Sequence, residues 1–226
     1  MNVDVLAVVA HPDDESIFCS GALLASKNNG FSFGVVCLTD GRNGRTLGLV
    51  RKKDLARIRA AELSVAIGIL GASYSEVISI PDYSGCGSSC IQHAESRLTA
   101  ILKALTPRVV LSFPENGVNG HPDHCATYKL VRQICAPDQI LSFVYPPVEL
   151  PHRVGYLSPE ELRSSYASPN YVLEMGSLWH TKLKAMASYE TQALNILRAV
   201  SRYPNLLTQE AYIAPNAMNL ANIVKI

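Results

Sequence analysis

With 226 residues, the chain is long enough to bury the core of one sizeable α/β domain, here spanning 1–226. Its formal net charge of +1, without a basic run, gives no electrostatic argument for nucleic acid or an anionic membrane. No apolar stretch approaches a bilayer span, and Asp4 sits where a signal peptide carries positive charge, so a soluble cytoplasmic protein is expected.

Val5-Leu6-Ala7-Val8-Val9 reads as a short buried strand, and Pro12 stops it because proline lacks an N–H and fixes φ. The strand therefore ends in Ala10-His11-Pro12-Asp13-Asp14-Glu15, an imidazole and adjacent carboxylates at the place where open α/β sheets put their sites. Like charges side by side resist ionisation unless a cation is near, and a divalent metal supplies one. His11 and Asp14, three residues apart, can point to the same side of a turn, leaving Asp13 beside the metal. The bland alternative is that Asp13, Asp14 and Glu15 complement a helix N-terminus.

A helix over 16–29 and a second strand over 33–38 follow, then the loop Thr39-Asp40-Gly41-Arg42-Asn43-Gly44. Arg42 is either a contact for an anionic substituent or a solvated loop residue. Residues 51–70 form an amphipathic helix with Leu55, Ile58, Ala61, Val65 and Ile69 at helical spacing; Arg59 and Glu62, one turn apart on it, would make only a modest exposed ion pair. Ile78-Ser79-Ile80 reads as a strand and leads into a loop where Cys86 and Cys90 could close a small disulfide or offer a metal pair, a reduced, accessible pair being expected ahead of either. A helix over 94–105 precedes the strand 109–113.

Beyond that strand lies Gly120-His121-Pro122-Asp123-His124, which repeats the His-Pro-Asp grammar. One such cluster is easily explained by chance, whereas two, each just past a strand, point to a shared centre. His11, Asp14 and one of His121 or His124 make two imidazoles and one carboxylate, the ligand count of a hydrolytic zinc site with an open position. A helix over 124–135 and a strand over 139–145 come next. Pro146 to Asn170 reads as loops over the site, with His152 and Tyr166 as outlying candidates for substrate contact, and 179–199 as one long helix with Leu183, Met186, Leu194 and Leu197 on one face.

The paired motifs resemble those of the LmbE-like (PIG-L) zinc-dependent de-N-acetylases, and Thr39-Asp40-Gly41, Arg59-x-x-Glu62 and Lys184…Tyr189…Gln192 fit the same pattern over most of the chain. The resemblance implies a Rossmann-like, mostly parallel α/β sheet flanked by helices. It implies zinc, with other divalent ions such as Fe2+ as alternatives, on His11, Asp14 and His124. Asp13 would be the general base, His121 would stabilise the oxyanion or donate a proton, and Asp123 would orient its histidine neighbours. Arg59 would face the substrate, and Asp82 falls where related enzymes hold sugar hydroxyls. Two positions depart from the pattern: Arg42 or Asn43 stands where an acidic residue is common, and Asn119 where some relatives place an assisting tyrosine.

The expected reaction is removal of an N-acetyl group from a small amino-sugar compound. A larger amide, such as a thiol conjugate, is the first alternative. A non-catalytic sugar- or nucleotide-binding protein is the second, disfavoured by the absence of a Gly-x-Gly-x-x-Gly after the first strand. The apolar content of 48% leaves room for a homo-oligomer interface.

Overall fold

The computed structural model describes residues 2–81, 86–146, 156–166 and 168–215. Seven strands form one sheet in the order β3-β2-β1-β4-β5-β7-β6: β1 (Val5–Val9), β2 (Phe33–Thr39), β3 (Tyr74–Ile80), β4 (Val109–Ser112), β5 (Ile140–Val144), β6 (Tyr171–Glu174) and β7 (Gln209–Ile213). The first five are parallel, and β7 runs antiparallel to both β5 and β6.

Both faces of β1 are covered, which is why its sequence is a continuous apolar run rather than an alternating one. Val5, Ala7 and Val9 face a core shared with α1 (Ser20–Asn28), α2 (Leu55–Leu70) and α7 (Trp179–Ala187). Leu6 and Val8 face the other layer, built with α3 (Ser88–Leu105) and α5 (Pro122–Ile134). The strand order reverses between β1 and β4, because β2 leaves β1 on one side and β4 lies on the other. Such a switch point opens a crevice at the C-terminal strand ends. It brings the two His-Pro-Asp motifs together although His11 and Asp123 are 112 residues apart in the chain.

Several expectations are corrected. The first helix does not start regularly: Glu15–Cys19 is a π-helical turn, a form concentrated at functional sites, and α1 follows it. Helix α2 buries Arg59 and Glu62 along with Leu55, Leu63 and Ala66, while Val65 faces out. The exposed Arg59–Glu62 pair therefore does not form. The long helix expected over 179–199 is two, α7 and α8 (Ala193–Arg202), and Leu183 and Leu197 are exposed. It breaks where Glu62 accepts the Thr191 N–H and hydroxyl at 2.8 and 2.7 Å. A short helix, α6 (Pro159–Ser165), lies in the segment read as loops, and another, α4 (Gly117–Gly120), leads into the second His-Pro-Asp cluster. Cys86 and Cys90 are joined as a disulfide rather than reduced.

Strands β6 and β7 went unread because β7 carries Glu210 at a buried position, which spoils its apolar pattern. That carboxylate is held by the buried Lys182 ammonium at 2.6 Å, the Tyr212 hydroxyl at 2.5 Å, and the N–H groups of Gly21 and Ala22 at 2.8 and 2.9 Å. It thus ties the first turn of α1 to the C-terminal strands.

Candidate metal centre

At the end of β1 the chain turns so sharply that Asp13 adopts φ 131°, a region that side-chain-bearing residues rarely enter. The surroundings over-determine this conformation. The Asp13 N–H donates to the buried Glu15 carboxylate at 3.1 Å, and its carbonyl accepts from the N–H groups of Ser16 and Ile17. Glu15 is itself fixed by the Ser16 and Tyr189 hydroxyls at 2.5 and 2.6 Å. A strained residue this well held, at a switch point, is a functional candidate on structural grounds alone.

His11, Asp14 and His124 converge. His11 Nδ1 lies 3.3 Å from Asp14 Oδ2, and His124 Nε2 lies 3.4 Å from Asp14 Oδ1. The far nitrogen of each imidazole is occupied: His11 Nε2 bonds Asp123 Oδ2 at 2.9 Å, and His124 Nδ1 donates to the Gly117 carbonyl at 3.0 Å. Phe113, fully buried after β4, stacks on the His124 ring at 4.0 Å between centroids. Gly117 must be glycine for that approach: its φ is 61°, and a Cβ there would sit 2.7 Å from His124 Cβ. Burial would lower the His11 pKa, but the Asp123 and Asp14 carboxylates outweigh it and raise it to about 10. Burial likewise opposes ionisation of Asp14, and the two imidazoles overcome it, holding Asp14 well below the usual carboxylate range.

Asp13 points to Arg59 instead, with Asp13 Oδ2 3.1 Å from the guanidinium. Burial pushes its pKa up to about 7, against the pull of Arg59 and with the help of the Asp14 charge. Arg59 is only 3% exposed and also bonds the carbonyls of Pro12 and Gly41. Gly41, at φ 64°, has no room for a side chain, because a Cβ would lie 2.2 Å from Arg59 Nη1.

His121 caps α5: its Nδ1 accepts the Asp123 N–H at 3.2 Å, so the neutral ring carries its proton on Nε2. Burial and the neighbouring imidazoles push its pKa down to about 4. The side chain of Asn119 is committed to the turn, accepting the His121 N–H at 3.0 Å. Arg42 makes a bidentate pair with Asp40, Nε–Oδ1 2.9 Å and Nη2–Oδ2 2.5 Å, and its side chain is 47% exposed. Asp82 and His152 lie outside the described residues.

The sequence reading missed Glu15, Tyr189, Gly117 and Phe113 as supports of the site. The position of Glu15 inside the hexapeptide, of Phe113 at the strand end and of Tyr189 in the Lys184…Tyr189…Gln192 pattern could have signalled three of them. Among the described residues, two groups of side chains have the composition to hold a cation: His11 with Asp14 and His124, and His11 with His121 and Asp123, each with facing donor atoms within 4.8 Å of one another. The first fits a metal better, since each of its imidazoles has an outer acceptor fixing the tautomer.

Residues 6–135 match the PIG-L family, described as GlcNAc-PI de-N-acetylase. The chain belongs to this family. It is 28% identical over 148 residues to a 1D-myo-inositol 2-acetamido-2-deoxy-alpha-D-glucopyranoside deacetylase of Rhodococcus erythropolis, covering 56% of this chain and 50% of that one. A probable N-acetyl-alpha-D-glucosaminyl L-malate deacetylase 2 of Bacillus anthracis is 33% identical over 135 residues, 58% of this chain and 59% of the relative. The chain thus spans about half the length of the curated relatives it matches.

Among solved structures, the N,N'-diacetylchitobiose deacetylase of Pyrococcus horikoshii superposes with a TM-score of 0.65 at 23% identity, covering 95% of this chain and 87% of that one. The 4-carboxy-2-hydroxymuconate hydratase GalB of Pseudomonas putida KT2440 gives 0.68 at 21%, covering 97% and 99%. The PIG-L fold is therefore shared by proteins of different reaction, and the choice among reactions rests on the site. No helix among the described residues is long and apolar enough to cross a membrane.

Proposed function

We propose that this chain hydrolyses the N-acetyl group of a small N-acetylglucosaminide, using zinc held by His11, Asp14 and His124. The observation that carries the reading is the pairing at one strand-end crevice of this open donor set with Asp13, an adjacent buried carboxylate that Arg59 holds at 3.1 Å. Zinc bound there supplies Lewis acidity, bringing the pKa of a water to about 7 and polarising the amide carbonyl.

The remaining work belongs to side chains. Asp13 accepts the proton of the attacking water, and Arg59 fixes which way that carboxylate points. His121 presents its Nε2–H to the oxygen that becomes negative in the tetrahedral state. Its Nδ1 is engaged by the Asp123 N–H, so becoming an imidazolium would cost the α5 cap. His121 therefore acts as a hydrogen-bond donor, and Asp13 returns the proton to the leaving nitrogen as the C–N bond breaks, giving acetate and a free amine. Asp123 keeps the His11 ring oriented through Nε2.

The family membership and the small polar α-glucosaminides named for its relatives support the substrate class. The test is amine release from a panel of such glycosides, with N,N'-diacetylchitobiose and larger thiol-conjugate amides included, on zinc-loaded and chelated protein. Chelator-sensitive release of amine and acetate from a glucosaminide is the expected result. Release only from the larger amides would replace this reading, and no release with zinc bound would reject it.

A further inference from the structure

Beyond the reaction, the loop leaving β2 carries a feature that catalysis does not use. Six of the chain's 20 Lys and Arg residues and only one of its 19 Asp and Glu residues fall within 42–57, although the whole chain is nearly neutral. Arg42 is committed to Asp40 and Arg51 to Asp54, while Arg45, Lys53 and Arg57 are exposed. At the tip of this basic stretch is a tight turn in which the Leu49 N–H donates to the Thr46 carbonyl at 2.9 Å. Leu47 and Leu49 project from it, 40% and 61% exposed. The other large exposed apolar residues of the described chain are isolated along the sequence. The segment leading into the turn is anchored at both sides, since the Gly41 carbonyl accepts from Arg59 and the Arg45 carbonyl from Gln192.

We propose that the 42–57 segment docks the protein on an anionic lipid surface, with Leu47 and Leu49 entering the headgroup–acyl boundary and Arg45, Lys53 and Arg57 meeting lipid phosphates. Basic residues beside a membrane are drawn to the anionic leaflet, and neighbouring aliphatic side chains gain by leaving water. A nucleic acid would use the cations but has no place for two aliphatic tips. A second copy of the chain would bring a like-charged loop to the same face, which opposes self-association there. The proposal does not depend on the reaction assigned above.

The experiment is co-sedimentation of the zinc-loaded full chain with vesicles of phosphatidylcholine alone or with one third phosphatidylglycerol, at low and high salt. Anionic vesicles are expected to bind it at least about tenfold more than neutral ones, and less at high salt. The double substitution Leu47→Ser/Leu49→Ser and the double substitution Arg45→Glu/Lys53→Glu should each lower that binding by about tenfold or more, with unchanged circular dichroism. No sedimentation with anionic vesicles overturns the proposal. So does binding that survives the leucine substitutions, or a leucine variant that changes oligomeric state instead of vesicle binding.

Discussion

The Asp13→Asn variant keeps its metal and loses roughly 10²- to 10⁴-fold in turnover, the range for removal of a general base. The size of the effect follows from the double duty proposed for this carboxylate, taking a proton from water and delivering it to the amine. The substitution is also a fair one structurally. The amide oxygen can still accept from Arg59, and asparagine is among the residues that best tolerate a positive φ. Asp13 makes no contact with His11 or His124 of the kind Asp14 makes, so the donor set is left intact. Metal content by elemental analysis and amine release, measured on the same sample, check the result. A variant that turns over at the wild-type rate would remove Asp13 from the mechanism; one that loses metal as well would make its role structural.

The largest effect on stability is expected at Glu210. Glu210→Leu leaves the Lys182 ammonium, fully buried, without its partner, and strips the acceptor from the first N–H groups of α1. Breaking a buried pair on one side costs about 3–5 kcal/mol, which in a chain of this size lowers Tm by roughly 6–20 °C. Replacing both members, Lys182→Met with Glu210→Leu, removes the stranded charge and should recover much of that loss. Thermal melts of the two variants decide it. A single variant melting within a degree or two of the parent, or a double variant no better than the single, would mean that the pair does not hold α1 to the C-terminal strands.

Much of the fold was legible because the parallel half of the sheet is covered on both faces. Strands β1, β2 and β4 are continuous apolar runs ending in proline or polar turns, and the two His-Pro-Asp clusters mark where the strands end. Their meeting depends only on β1 and β4 being neighbours, a property of the switch-point topology. What escaped was wherever a buried polar contact overrides periodicity. Glu210 disguises β7, and Glu62 breaks the late helix by capturing Thr191. Arg59 and Glu62 turn the polar flank of α2 inward, so the apolar spacing picked out Val65, which the structure exposes. Within the site, the choice between His121 and His124 could not be made from spacing. It depends on Phe113 beneath one ring and on the helix cap made by the other. The charge of the 42–57 stretch was hidden by averaging, since the whole chain sums almost to zero.

The measurement that bears most directly on the account is a calorimetric zinc titration of the metal-free chain at two pH values, beside His124→Ala. In the metal-free state the two flanking carboxylates keep His11 protonated at neutral pH, and a ligand imidazole must give up its proton. The account predicts a single tight site in the parent, proton release on binding, tighter binding as pH rises, and loss of the site in His124→Ala. Zinc bound equally well by His124→Ala, or no zinc bound by the parent, would contradict it.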